Sequence, residues 1–184
     1  MTTKKKAIMI AIFIVGGIIV GLLGVLFVSG LPWGILYCGI ALEENPQTPE
    51  ITSAEFPFEL VYEIDGETKT VSDIYVCEFD GIEMNEGIGK YREWNGYIKG
   101  TGEEYVVLYE DSEIQFVCYV GSAAYYMGDQ SDPSEEFTPF ILWKKYLPEM
   151  DINASGPANK DTLDEYKIKL ISWKLSDPIE NSFE

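Results

Sequence analysis

Between Ala7 and Val28 lie 22 residues without a single charge, chiefly Ile, Val, Leu, Phe and Gly, and no other feature limits the chain as much. At a rise of about 1.5 Å per residue, a helix of that length crosses a hydrocarbon core of about 30 Å. A lone segment in lipid has no water to satisfy its backbone, so a helix is its economical form. Lys4, Lys5 and Lys6 precede the stretch, and the next basic residue is Lys69. By the positive-inside rule this places residues 1–6 in the cytoplasm as a basic tail and the rest of the chain outside, with 7–28 as the transmembrane helix.

Apolar character continues past Ser29 until Pro32 interrupts it, and Leu31 to Tyr37, with the interfacial aromatics Trp33 and Tyr37, is expected at the outer headgroup level. The competing reading is a secretory signal peptide cut near Val28-Ser29-Gly30, although its apolar core exceeds the about 7–15 residues usual for one. A lipoprotein signal fits poorly, because the bulky Tyr37 precedes Cys38. Gly17 and Gly21 form a G-x-x-x-G pair, with Gly24 beyond, of the kind that lets two spanning helices approach. Residues 29–53 read as a membrane-proximal segment and a Pro-containing linker, and 54–184 as one extracytoplasmic domain.

That domain is strongly acidic. Three of the 13 basic residues precede the helix and the first of 31 acidic residues is Glu43, so everything beyond Leu42 sets ten cations against 31 anions. Such a field repels nucleic acid and favours cations, basic proteins or simple solubility. Histidine is absent, which removes Ser-His-Asp and Cys-His nucleophile systems and every His-containing zinc site. No glycine loop ends in the Lys-Ser/Thr of a phosphate-binding P-loop.

The hydrophobic pattern has the period of strands. Phe56, Phe58, Leu60, Tyr62 and Ile64 alternate with Glu55, Pro57, Glu59, Val61 and Glu63, which predicts a half-buried strand. Pro57 cannot donate to a ladder, so this strand is expected at a sheet edge or to have its start there. Asp65-Gly66 signals a type I′ hairpin, with the return strand running from Glu67 towards Asp80. Asp80-Gly81 and Asn95-Gly96 read as further turns, and Tyr105–Tyr109 and Ile114–Val120 as further strands. Between Tyr166 and Leu175 the apolar parity switches, from Ile168 and Leu170 to Ile171, Trp173 and Leu175, which predicts a bulge or a strand buried on both faces. Phe137–Leu147 is the one candidate helix. The fold class expected is mainly β, an antiparallel β-sandwich or a meander or barrel-like domain, preceded by one transmembrane α-helix.

The runs Glu55-Phe56-Pro57-Phe58, Tyr62-Glu63-Ile64-Asp65-Gly66-Glu67 and Cys77-Glu78-Phe79-Asp80-Gly81 resemble a group of uncharacterised secreted or membrane-anchored proteins of Gram-positive bacteria. The resemblance covers residues 54 to 128, rests on turn and strand residues, and implies a bacterial surface location without an activity.

Three patterns bear on chemistry. Cys77 and Cys118 each fall on the apolar face of a predicted strand; they either pair, closing a loop of about forty residues, or stay as unpaired core thiols. Asp151, Asn153, Ser155, Asn159 and Asp161, with Gly156 at the turn, follow the oxygen spacing of a Ca²⁺ loop, but Thr162 stands where a bidentate carboxylate belongs and no flanking helices are expected. An Asx-rich turn needs the same residue types. Asp129, Asp132, Glu135 and Glu136 surround Pro133 beside Tyr125, Tyr126, Phe137 and Phe140, a setting for glycan hydrolysis or binding as well as for a solvated loop. The function expected is a membrane-anchored surface module that binds a protein, glycan or cation. The alternatives are a carboxylate-dependent cell-envelope hydrolase and an accessory subunit of a membrane complex. No cofactor is expected beyond Ca²⁺.

Overall fold

The computed structural model describes residues 3–129, 137–147 and 152–183. The protein is mainly β, with two four-stranded antiparallel sheets, and begins with one long apolar helix. It divides into two compact units, 1–46 with 82–91, and 47–81 with 92–184. The end of one hairpin thus belongs with the helix.

In the first unit, helix α1 runs unbroken over Thr3–Leu42, straight through Pro32. A proline removes one intrahelical bond and bends the helix, but an apolar helix has no competing partner for its backbone, and residues 33–42 contain no second proline. One turn earlier the Ser29 hydroxyl donates to the Val25 carbonyl at 2.7 Å, a back-bond that often accompanies a bend. The segment Ile12–Leu42, of mean hydropathy 2.7, is long and apolar enough to cross a membrane, and none of its most apolar window is buried by protein. The helix has no basic residue in its own last turn. Lys90 supplies the cation, donating from Nζ to the Glu43 carbonyl at 2.6 Å and to Asn45 Oδ1 at 2.8 Å, where the helix dipole is negative.

The second unit holds the core. Strand β1 (Ser53–Ile64) pairs with β2 (Glu67–Asn85) through a hairpin whose Asp65 and Gly66 both have positive φ, 52° and 82°, the type I′ geometry the Asp-Gly pair predicts. Strands β3 (Gly89–Ile98) and β8 (Ile168–Leu175) complete the first sheet in the order β3-β2-β1-β8. Strands β4 (Tyr105–Glu110), β5 (Gln115–Tyr119), β6 (Phe140–Leu147) and β7 (Ile152–Pro157) form the second, in sequence order. The inward faces of both sheets share one cluster, built on Phe56, Leu60, Cys77, Ile98, Phe116 and Cys118, as sandwich packing requires.

Strand β1 is central, not at an edge. Pro57 is tolerated because its backbone faces β8, whose ladder begins only at Phe58 opposite Leu175; beyond it the Ser176 hydroxyl donates to the Pro57 carbonyl at 3.4 Å. The parity switch in β8 is a bulge: Val61 opposes Ser172 and Tyr62 opposes Leu170, leaving Ile171 as the extra residue. Asp80-Gly81 does not turn. Gly81 takes φ 119° inside β2, which continues to Asn85. Asn95-Gly96 likewise lies within β3.

The candidate helix over Phe137–Leu147 is instead strand β6 from Phe140 on. Its Ile141 is buried while Phe140, on the opposite face, is exposed, and β5 and β7 hydrogen-bond it on both sides. Two short helices, α2 (Ala123–Tyr126) and α3 (Lys160–Glu165), are capped by Ser122 and Asn159. The carboxy-terminal tail ties down the linker: Asn181 exchanges two hydrogen bonds with the Ile51 backbone, both 2.9 Å.

Candidate functional site

In β2 the inward residues are Tyr75 and Cys77, 3% and 0% exposed. The Tyr75 ring is threaded past two glycines. A β-carbon on Gly96 of β3 would lie 2.6 Å from its Cζ, and one on Gly121, before α2, 2.8 Å from the same atom. Both distances are below any real carbon contact, so only glycine fits at either position. Tyr126 meets the ring edge-on at 6.2 Å.

Beyond these glycines the Tyr75 hydroxyl opens on a cleft of about 300 Å³, lined by Asp80, Glu93, Asn95, Glu104 and Tyr119. The hydroxyl makes no hydrogen bond among the described residues, and no side-chain oxygen or nitrogen is both sealed from solvent and unpaired. A nearly buried tyrosine therefore presents a free hydroxyl to the cleft. Burial, followed by neighbouring Cys77, Glu104 and Tyr126, raises its pKa, so it remains a neutral donor and acceptor. Asp80, Glu93 and Glu104 enter no ion pair among the described residues. Tyr105, Tyr119 and Phe140 stand opposite one another on adjacent strands, with ring centroids 5.6 and 5.1 Å apart, so an aromatic row runs out from the Tyr119 wall.

Of the cleft residues, Tyr75, Glu93, Glu104 and Tyr119 are not singled out by the sequence, and Asp80 and Asn95 only as turn residues. The signal is Gly96 inside a tyrosine- and tryptophan-rich segment: a glycine within a strand marks a bulge or a close approach, although the Asn95-Gly96 pair by itself reads as a turn.

Of the residues the sequence did single out, the Ca²⁺ candidates do not form a wrapping loop. Asp151 lies outside the described residues; Asn153 and Ser155 are in β7, opposite Tyr146 and Lys144. Asn159 Oδ1 accepts from the Thr162 amide and hydroxyl, both at 2.9 Å, so it is committed to capping α3, and Asp161 sits in the first turn of that helix. The turn chemistry that mimics a calcium loop is here strand and cap chemistry. Among the described residues no three carboxylates or thiols converge as a metal site.

Cys77 and Cys118, on opposite sheets of the shared core, are free thiols in the structure, and burial pushes both up to about 12. Cys38 is free and exposed.

In the acidic loop, Asp132, Glu135 and Glu136 lie outside the described residues, and Asp129 is an ion-pair partner. Arg92 grips it with Nε to Oδ2 at 2.7 Å and a terminal nitrogen to Oδ1 at 2.5 Å, and Trp94 Nε1 donates to Oδ2 at 2.7 Å. Burial pushes this carboxyl up, but the hydrogen bonds from Arg92 and Trp94 and the guanidinium charge together outweigh it and hold the pKa below its ordinary value. The Arg92 guanidinium also covers the Phe183 ring at 4.2 Å, so the cluster fastens the carboxy-terminal tail.

A second concavity, of about 600 Å³ and mostly apolar, lies within the first unit, lined by Trp33, Leu36, Tyr37, Ile40 and Met84. Comparison of the chain with protein-family models, with curated proteins and with solved structures finds no match.

Proposed function

We propose that this protein is a single-pass, membrane-anchored binding module of a bacterial surface, with a cytoplasmic amino terminus and the acidic β-sandwich outside. The observation that carries the reading is the unburied apolar length of Ile12–Leu42. So large an exposed apolar surface needs lipid or a partner to cover it. The lysines before the helix and the acidic residues after it favour the stated orientation. A domain with an open polar cleft and neither histidine nor a nucleophile motif suits binding better than hydrolysis.

One observation favours the accessory-subunit reading as a special case. A helix of 31 apolar residues is about 46 Å long against a core of about 30 Å, and the surplus toward Leu42 carries exposed Trp33, Ile35 and Tyr37. Tilt or a neighbouring helix would cover it.

The test is fractionation with an intact mass. The chain should stay with membranes through alkaline carbonate washing and keep its full 20.7 kDa. Recovery in the medium at a mass lacking residues 1–30 would instead make the segment a cleaved signal.

A further inference from the structure

The cleft opened by Tyr75 holds two features that fit one kind of ligand. Its carboxylates, Asp80, Glu93 and Glu104, have no cationic partner among the described residues, in a domain with a large anionic excess. Among the described residues no three acidic side chains are placed to hold a metal ion, so the complementary group is an organic cation. The second feature is the Tyr75 hydroxyl, on a side chain 3% exposed, unpartnered among the described residues and aimed into the cleft through the gap that Gly96 and Gly121 leave. That oxygen, unpaired and open to the cleft, is suited to accept one hydrogen bond. At about 300 Å³ the cleft lies at the small end of ligand sites, enough for a head group on a short chain and too small to enclose an oligosaccharide.

We propose that this cleft binds a primary alkylammonium group, the terminal amine of a polyamine or of a lysine side chain. The three N–H bonds of the ammonium find acceptors among the carboxylates, Asn95 Oδ1 and the Tyr75 oxygen that line the cleft. The inference deepens the binding-module reading, but it is tested in detergent, where membrane topology has no influence, so the two fail separately.

The experiment is calorimetric titration of the full chain in nonionic detergent, with 1,5-diaminopentane in one arm and a doubly capped Ala-Lys-Ala peptide in the other. Saturable one-site binding is expected in at least one arm, and the stronger arm identifies the source of the amine. Tyr75→Phe, which keeps the buried ring and removes only the oxygen, should weaken binding about tenfold, as for one lost hydrogen bond to a charged group. Glu104→Gln, at an exposed position, should weaken it comparably and leave the fold untouched. Glu67→Gln lies eight positions along β2 from Tyr75, about 26 Å away, and should change nothing. The proposal is overturned if neither amine binds, if Tyr75→Phe binds as the unaltered chain does, or if Glu67→Gln weakens binding as much as Glu104→Gln.

Discussion

The aromatic ring of Tyr75 occupies the space that any side chain on residue 96 would need: a β-carbon there would stand 2.6 Å from the tyrosine Cζ. The same ring excludes a β-carbon at residue 121. Gly96→Ala and Gly121→Ala are each expected to destabilise the domain by about 2 kcal/mol, the cost of overpacking a rigid side chain. Because both act through one ring, the double variant should cost less than the sum, and Tyr75→Ala should relieve most of the Gly96→Ala penalty. Denaturant unfolding of the set measures this coupling; strict additivity would mean that the ring is not the shared obstacle.

Asp129 is the carboxylate most worth altering for stability. Its side chain is 14% exposed, that of Arg92 21%, and their contact is bidentate, so the pair lies between a surface ion pair, worth about 0–1 kcal/mol, and a buried one that costs about 3–5 when broken. Asp129→Asn should cost about 2 kcal/mol and loosen the tail that Arg92 holds through Phe183. Because the folded pKa of Asp129 is depressed, its contribution is fully present above the unfolded value of about 3.9 and is lost as the pH falls through the folded value. Thermal unfolding between pH 6 and pH 3 should therefore show a smaller acid loss in Asp129→Asn than in the unaltered chain. Equal losses would assign the acid sensitivity to other groups.

The strand periods and one turn were legible because they are local. The alternation from Phe56 to Ile64 and the Asp65-Gly66 pair specify their own geometry, and the parity switch at Ile171 is the bulge seen against β1. What stayed hidden depends on distant partners. Whether Phe140–Leu147 is helix or strand is decided by β5 and β7. Whether Pro57 sits at an edge is decided by where β8 stops. Pro32 reads as a stop only for a helix in water. Asn153, Ser155 and Asn159 have the right letters for a metal loop, yet pairing with β6 and the cap of α3 claim the backbone first. The cleft was illegible for a related reason: Asp80, Glu93, Glu104 and Tyr119 meet only when the two sheets close on Tyr75.

The core thiols give a third prediction. With Cys77 and Cys118 fully buried and their pKa values pushed up to about 12, neither is a nucleophile near neutral pH. A maleimide should modify only Cys38 in the folded chain in detergent and all three cysteines in guanidinium. Intact mass should not change on reduction; a gain of two protons would show a Cys77–Cys118 bond.

In the proposed topology the acidic domain stands outside a membrane that α1 crosses. It is tested most directly by adding one cysteine, Thr68→Cys, at an exposed position of β2 in a Cys38→Ser background, and treating intact Gram-positive cells with a membrane-impermeant maleimide. Labelling equal to that in lysed cells is the result predicted. Labelling that appears only after lysis would put the domain in the cytoplasm and contradict the account.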